Sequence, residues 1–279
     1  MHLRAFLILS LALAALSCAA LQPVSTNGPR RNQPPYPAIL PETKQRTDAA
    51  QAAWLQIASQ QGIPGKPEVT LHPIIDTITS LPENLGGTLY LPKVGTTSEM
   101  SAEETRESLR RLLREWRPLL GADPNQLSLV EESKNADGVR IARYEQKPFI
   151  YPLRGDYGKV EVRYTSDRRI LNVSSNAIPS TDKIQPVLSG AALQVKADEV
   201  PAKLVGRAIT YSDSTGTHTL TLENAAQVTV QQLVVYPIEV AGNPAEIRFY
   251  LAWEVTVTNA PIKLIYLDAL EDEVIATKV

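Results

Sequence analysis

The chain has 279 residues, 43% of them hydrophobic, which is enough apolar side chain for more than one small core and predicts two folded units plus tails. Its 28 basic and 30 acidic residues leave a net charge of -2, with no long-range basic field, so nucleic acid is not expected as a partner. A single cysteine excludes an intramolecular disulfide, and 21 prolines beside three phenylalanines point to extended chain, turns and aliphatic cores.

Residues 1–20 carry Arg4, an apolar run over 5–16, and small residues at Ser17, Cys18 and Ala19. Such a run is short for a membrane span and has the shape of a secretory signal, which predicts export. Two processing outcomes follow. Ala15-Leu16-Ser17-Cys18 is lipobox-like, with Cys18 lipidated to anchor the protein in a cell envelope; the other outcome is a soluble secreted form cut after Ala19. Residues 21–46 are rich in proline and polar side chains and show no period, and they read as a disordered tether.

A first segment, residues 47–100, combines a helix with irregular strands. The helix is expected over 48–61, capped by Asp48 and stopped by Gly62, with Trp54, Leu55 and Ala58 on its apolar face. Strand fragments at 69–71, 74–78 and 88–91 are cut by proline and glycine, and Gly86-Gly87 reads as a turn. His72 stands alone there, without a second ligand at metal-site spacing.

The strongest periodic stretch is 102–120. Ser101 and Glu104 form a capping box, Leu109, Leu112, Leu113, Trp116 and Leu120 fall on one stripe, and Gly121 ends the helix. Arg106, Arg110, Arg114 and Arg117 occupy a solvated face, where Glu107 is spaced to pair with Arg111. Strands follow at 127–130 and 139–146. Val160, Val162 and Tyr164 then alternate with charged residues before the turn Thr165-Ser166-Asp167-Arg168 and a resumed apolar run at Ile170, Leu171 and Val173. That is a β-hairpin, whose apolar face is expected under the leucine stripe.

A second unit begins near 179–182, with a short helix expected over 186–197. Strands fill the rest. Val228, Val230, Val234, Tyr236, Ile238 and Val240 share one parity, Pro237 marks an edge or a bulge, residues 247–257 alternate without a fault, and 262–267 adds another strand. The expected class is α+β: two helix-on-antiparallel-sheet units in tandem, over 101–180 and 181–279.

Chemistry-bearing motifs are absent from the sequence. His72 and His218 lack a partner set, no HExxH, GxSxG or P-loop pattern occurs, and Asp268 with Glu271, Asp272 and Glu273 reads as a solvated turn. No catalytic residue, metal site or cofactor is expected.

Arg143-Tyr144-Glu145-Gln146, Tyr151-Pro152-Leu153, Gly155 and Asn172-Val173-Ser174-Ser175 resemble a fungalysin/thermolysin propeptide (FTP) domain, with its Gln-bearing strand, Gly-rich turn and closing strand. Leu251-Ala252-Trp253-Glu254-Val255 and Leu267-Asp268-Ala269 resemble the closing strands of a PepSY domain, although Asp272 stands where that family has a turn glycine. The resemblance covers about residues 101–279 and is to the pro-region of thermolysin-type metalloproteases without the catalytic domain. It implies a non-enzymatic, propeptide-like protein that inhibits or assists folding of such a protease in trans. The alternative is a structural or interaction module of the bacterial cell envelope with no protease partner. The expected partner surface is the segment bearing Phe149, Tyr151, Arg154, Asp156 and Tyr157.

Overall fold

The computed structural model describes residues 35–279 apart from 66, 86–88 and 97–99; the signal-like run, Cys18, residues 21–34 and the Gly86-Gly87 turn lie outside the described residues. The class is α+β, with five α-helices and antiparallel sheets among the described residues. None of these helices is long and apolar enough to cross a membrane.

A four-stranded sheet in the order β4-β5-β6-β7 is built from Leu127–Lys134, Arg140–Gln146, Lys159–Tyr164 and Ile170–Ser175. Helix α2, Ala102–Glu115, covers one face. The capping box is made: Ser101 Oγ accepts from the Glu104 N–H at 3.2 Å, and Glu104 Oε2 accepts from the Ser101 N–H at 2.8 Å. Leu109, Leu112, Leu113 and Trp116 share a core with Ala142, Tyr144, Val160, Val162, Tyr164, Ile170 and Val173. The expected single helix over 102–120 breaks at Trp116 and restarts as α3, Arg117–Leu120, because Pro118 has no N–H and its ring would meet the carbonyl of Arg114 in a continuous helix. A β-bulge at Leu171, where Arg163 pairs with Asn172 but Tyr164 with Ile170, also departs from plain alternation. It turns Leu171 outward while Ile170 and Val173 both reach the core.

Helix α1 spans Lys44–Gln60, a turn earlier than expected, with Thr43 as its cap; Asp48 instead accepts from Lys44 Nζ at 2.7 Å. Ala50, Trp54, Ile57 and Ala58 face the core, and Leu55 is 43% exposed. The tether reading fails from residue 35 onward. Strand β1, Ala38–Pro41, pairs with residues 246–249 far along the chain, because Ala38 and Leu40 supply two buried apolar positions that composition alone does not reveal.

A five-stranded sheet carries β10, Val228–Val240, β11, Glu246–Val257, β12, Leu264–Asp268, and β13, Val274–Lys278, with β1 on the same side of β11 as β12. The second helix, α4, is Thr181–Gly190 and not 186–197: Pro186 sits inside it, and Gly190 ends it. Helix α5, Val200–Leu204, leads into an exposed hairpin of β8, Ala208–Asp213, and β9, Gly216–Thr221. The single parity expected for β10 is interrupted by a bulge at Gln231. Leu233 and Val235 therefore face the core containing Phe249 and Leu251, while Val234 and Tyr236 turn to the opposite face with Tyr266. The final turn closes with Asp272 at φ +57°, held by Lys203 Nζ at 2.8 Å.

Leu112 is enclosed between helix and sheet, so Leu112→Ala should lower stability by about 2–5 kcal/mol in urea unfolding, whereas Leu55→Ala should change it by less than about 0.5 kcal/mol.

Candidate functional site

The segment joining β5 to β6, residues 147–158, leaves the four-stranded sheet and returns to it. Its middle lies along the free edge of β10. The Arg154 N–H donates to the Val235 carbonyl at 2.9 Å, the Val235 N–H donates to the Pro152 carbonyl at 2.9 Å, and Leu153 pairs with Val235 in parallel. Pro237 is tolerated two residues on because β10 is an edge strand. Gly158 closes the segment at φ +78°, where a Cβ would come 2.6 Å from Leu153 Cδ2. The left-handed φ is what calls for glycine here, since the Leu153 methyl is the end of a flexible side chain that could move aside.

Arg154 then reaches over the second sheet. Its Nε donates to Glu254 Oε1 at 2.7 Å and its Nη2 to Oε2 at 3.1 Å, while Gln232 Nε2 (3.0 Å) and Tyr266 Oη (3.2 Å) complete the carboxylate's shell. Burial works to raise the Glu254 carboxyl, and the hydrogen bonds from Arg154 and Gln232 outweigh it and hold it below the usual range. The carboxylate therefore favours the folded state above its ordinary pKa, and this contribution is lost as pH falls through the depressed value. Gln146, at the end of β5, adds a second tie. Its amide donates to Ile178 O at 3.0 Å and accepts from the Ile178 N–H at 2.8 Å, fixing the chain just before α4.

The five residues expected to form a partner surface thus divide. Phe149, Tyr151 and Tyr157 pack against the core of the five-stranded sheet, and Arg154 is spent on Glu254. Asp156 remains open, as does Ile150, which is 73% exposed. Beside the segment runs a groove of about 710 Å³ across the helix-free face of the four-stranded sheet. Val130, Arg143, Glu145 and Glu161 line it from the strands, and His72, Tyr157 and Glu239 wall it from the other side. Arg143 is clamped between Glu131 at 2.5 Å and Glu161 at 2.7 Å. His72 Nδ1 accepts from the Ile74 N–H at 3.2 Å, and its Nε2 lies 3.7 Å from Glu239 Oε1, to which the Tyr157 hydroxyl also donates. Burial lowers the His72 pKa, against the pull of Glu239 and Asp76. This wall is not legible from the sequence, because its members lie in three separate stretches.

His218, read as isolated, has neighbours: its Nε2 lies 2.9 Å from Thr215 Oγ1 and 3.2 Å from Asp213 Oδ1. A nucleophile relay needs the hydroxyl and the carboxylate on different ring nitrogens, and here they share one. Asp213 caps the turn by accepting from the Thr215 N–H at 2.7 Å as well. Among the described residues, no cluster of three or more His, Cys, Asp or Glu is arranged to hold a metal ion.

No family model matches the chain, and no curated protein matches it.

Because Glu254 is 7% exposed, Arg154→Ala leaves a carboxylate with little water and should cost about 2–4 kcal/mol. In a double-mutant cycle with Glu254→Ala the two losses should fall well short of additive; additive losses would mean that the pair does not couple the sheets.

Proposed function

We propose that the protein is a non-catalytic binding module, exported and anchored through Cys18, which engages a protein partner across the groove beside the 147–158 segment. One observation carries this reading: the groove is walled by both sheets, and the Arg154–Glu254 pair and the β10 edge pairing hold those walls together. A binding surface made in advance loses little entropy on association. Val130, half exposed on the outer strand, offers apolar area, and the exposed carboxylate of Glu145 favours a partner segment bearing lysine or arginine, whereas both oxygens of Glu161 are taken by Arg143 and Arg163.

The resemblance to FTP and PepSY pro-regions points to a thermolysin-type metalloprotease as that partner, acted on in trans. The test is titration of the purified protein into such a protease from the same source, with both complex formation and proteolysis followed. A complex at micromolar concentration with altered activity is expected. Val130→Arg and Glu145→Arg, at sites exposed in the free protein, should weaken it at least tenfold with unchanged thermal stability. Absence of a complex would remove the protease from the reading, and a complex indifferent to both substitutions would remove the groove.

A further inference from the structure

Asp268, the last residue of β12, is fully enclosed. Its Oδ1 accepts from the Leu270 N–H at 2.7 Å, the Glu271 N–H at 3.2 Å and the Tyr36 hydroxyl at 3.0 Å, whereas its buried Oδ2 has no partner among the described residues. Tyr36 belongs to the N-terminal segment. Its hydroxyl also accepts from the Leu251 N–H at 2.9 Å, the amide that falls between the part of β11 paired with β12 and the part paired with β1. One phenol therefore bridges a gap in the sheet and caps the carboxyl.

The strand that follows is short. β1 has four residues, with Pro37 just before it and Pro41 as its last, and it holds on through its short ladder to residues 246–249 of β11, through Ala38 and Leu40 in the core, and through the Glu42 N–H on the Ala245 carbonyl at 2.7 Å. We propose that Tyr36 and β1 form a releasable clip, closed over Asp268 while its carboxyl carries a proton and loosened when the carboxyl ionises. Ionisation in the closed state shares the charge between Oδ1, which has donors, and Oδ2, which is shut away from solvent with no donor among the described residues; lifting the clip would expose Oδ2 to solvent, and the two turn N–H groups stay in place.

The neighbouring charges act in the same direction. Glu271, in the turn after β12, opposes a negative Asp268, and Asp272 in that turn is taken up by Lys203 and Arg207. Tyr250, on β11, meets the Tyr36 ring edge-on. Burial is the largest influence on the carboxyl and pushes it from 3.8 up to about 6, against the three hydrogen bonds. A carboxyl raised in the closed state contributes to closure in full below about pH 3.8, and that contribution is lost as pH rises through about 6.

Hydrogen exchange on the full chain, corrected for the intrinsic rate at each pH, tests the clip. Protection of residues 36–42 and 245–251 should fall roughly tenfold between pH 5 and pH 7.5, with the hairpin at 159–175 unchanged. Asp268→Asn keeps the Oδ1 acceptor and places a neutral group at the orphaned position, so its protection should stay at the acidic wild-type level throughout. Tyr36→Phe should be poorly protected at both pH values. The clip is overturned if the wild type is flat across this range, if Asp268→Asn reproduces the wild-type slope, if Tyr36→Phe protects as the wild type does, or if the loss spreads equally to the 159–175 hairpin.

Discussion

The position of the two sheets rests on one ion pair and the edge pairing beneath it. Arg154 leaves one sheet on a connecting segment and ends on Glu254 in the middle strand of the other, with Gln232 and Tyr266 filling the remaining acceptor positions. Two charges taken from water are costly unless each lone pair and proton finds a partner, and here the carboxylate is fully engaged. Geometry makes this pair favourable: the guanidinium meets both carboxylate oxygens at once, which a lysine could not do.

The same segment solves a second problem. β10 is long and lies at the edge of its sheet, and a bare edge of that length invites pairing with other chains. Residues 152–154 occupy part of that edge with backbone hydrogen bonds, so joining the units and protecting the edge are one event. Apolar contacts from Phe149, Tyr151, Leu153 and Tyr157 add burial on the same core. What remains outside, Ile150 and Asp156 with the adjoining groove, is the portion free to meet another molecule.

The legible parts of the sequence were those whose cause is local. The capping box at Ser101, the leucine stripe, the alternation in β6 and the turn after it each arise from residues within a few positions of one another, and each is found in the structure. Bulges at Leu171 and Gln231 were not legible, since one extra residue changes the parity of everything after it without changing composition. β1 was hidden by its prolines, and α4 by a proline that reads as a helix start but sits mid-helix. In the candidate surface, the internal work of the 147–158 segment is not legible from the sequence. Arg154 and Glu254 are 100 positions apart, and nothing near either names the other.

The sequence pattern places a boundary near residue 180, yet the cores do not divide there. Ala38, Leu40, Ile74 and Ile75 precede the boundary and lie in the core of the five-stranded sheet with Phe249 and Leu251, as do the aromatic residues of the 147–158 segment. Arg46, on the first helix, donates to the carbonyls of Pro41 and Ile74 and faces Asp76 at 3.4 Å, tying both early stretches to α1. The core of the five-stranded sheet is thus completed by three pieces of chain that precede residue 180, in the stretches 38–40, 74–75 and 149–157. Stability of the second sheet is therefore conditional on the first, and the groove between them belongs to the whole chain and to neither unit alone.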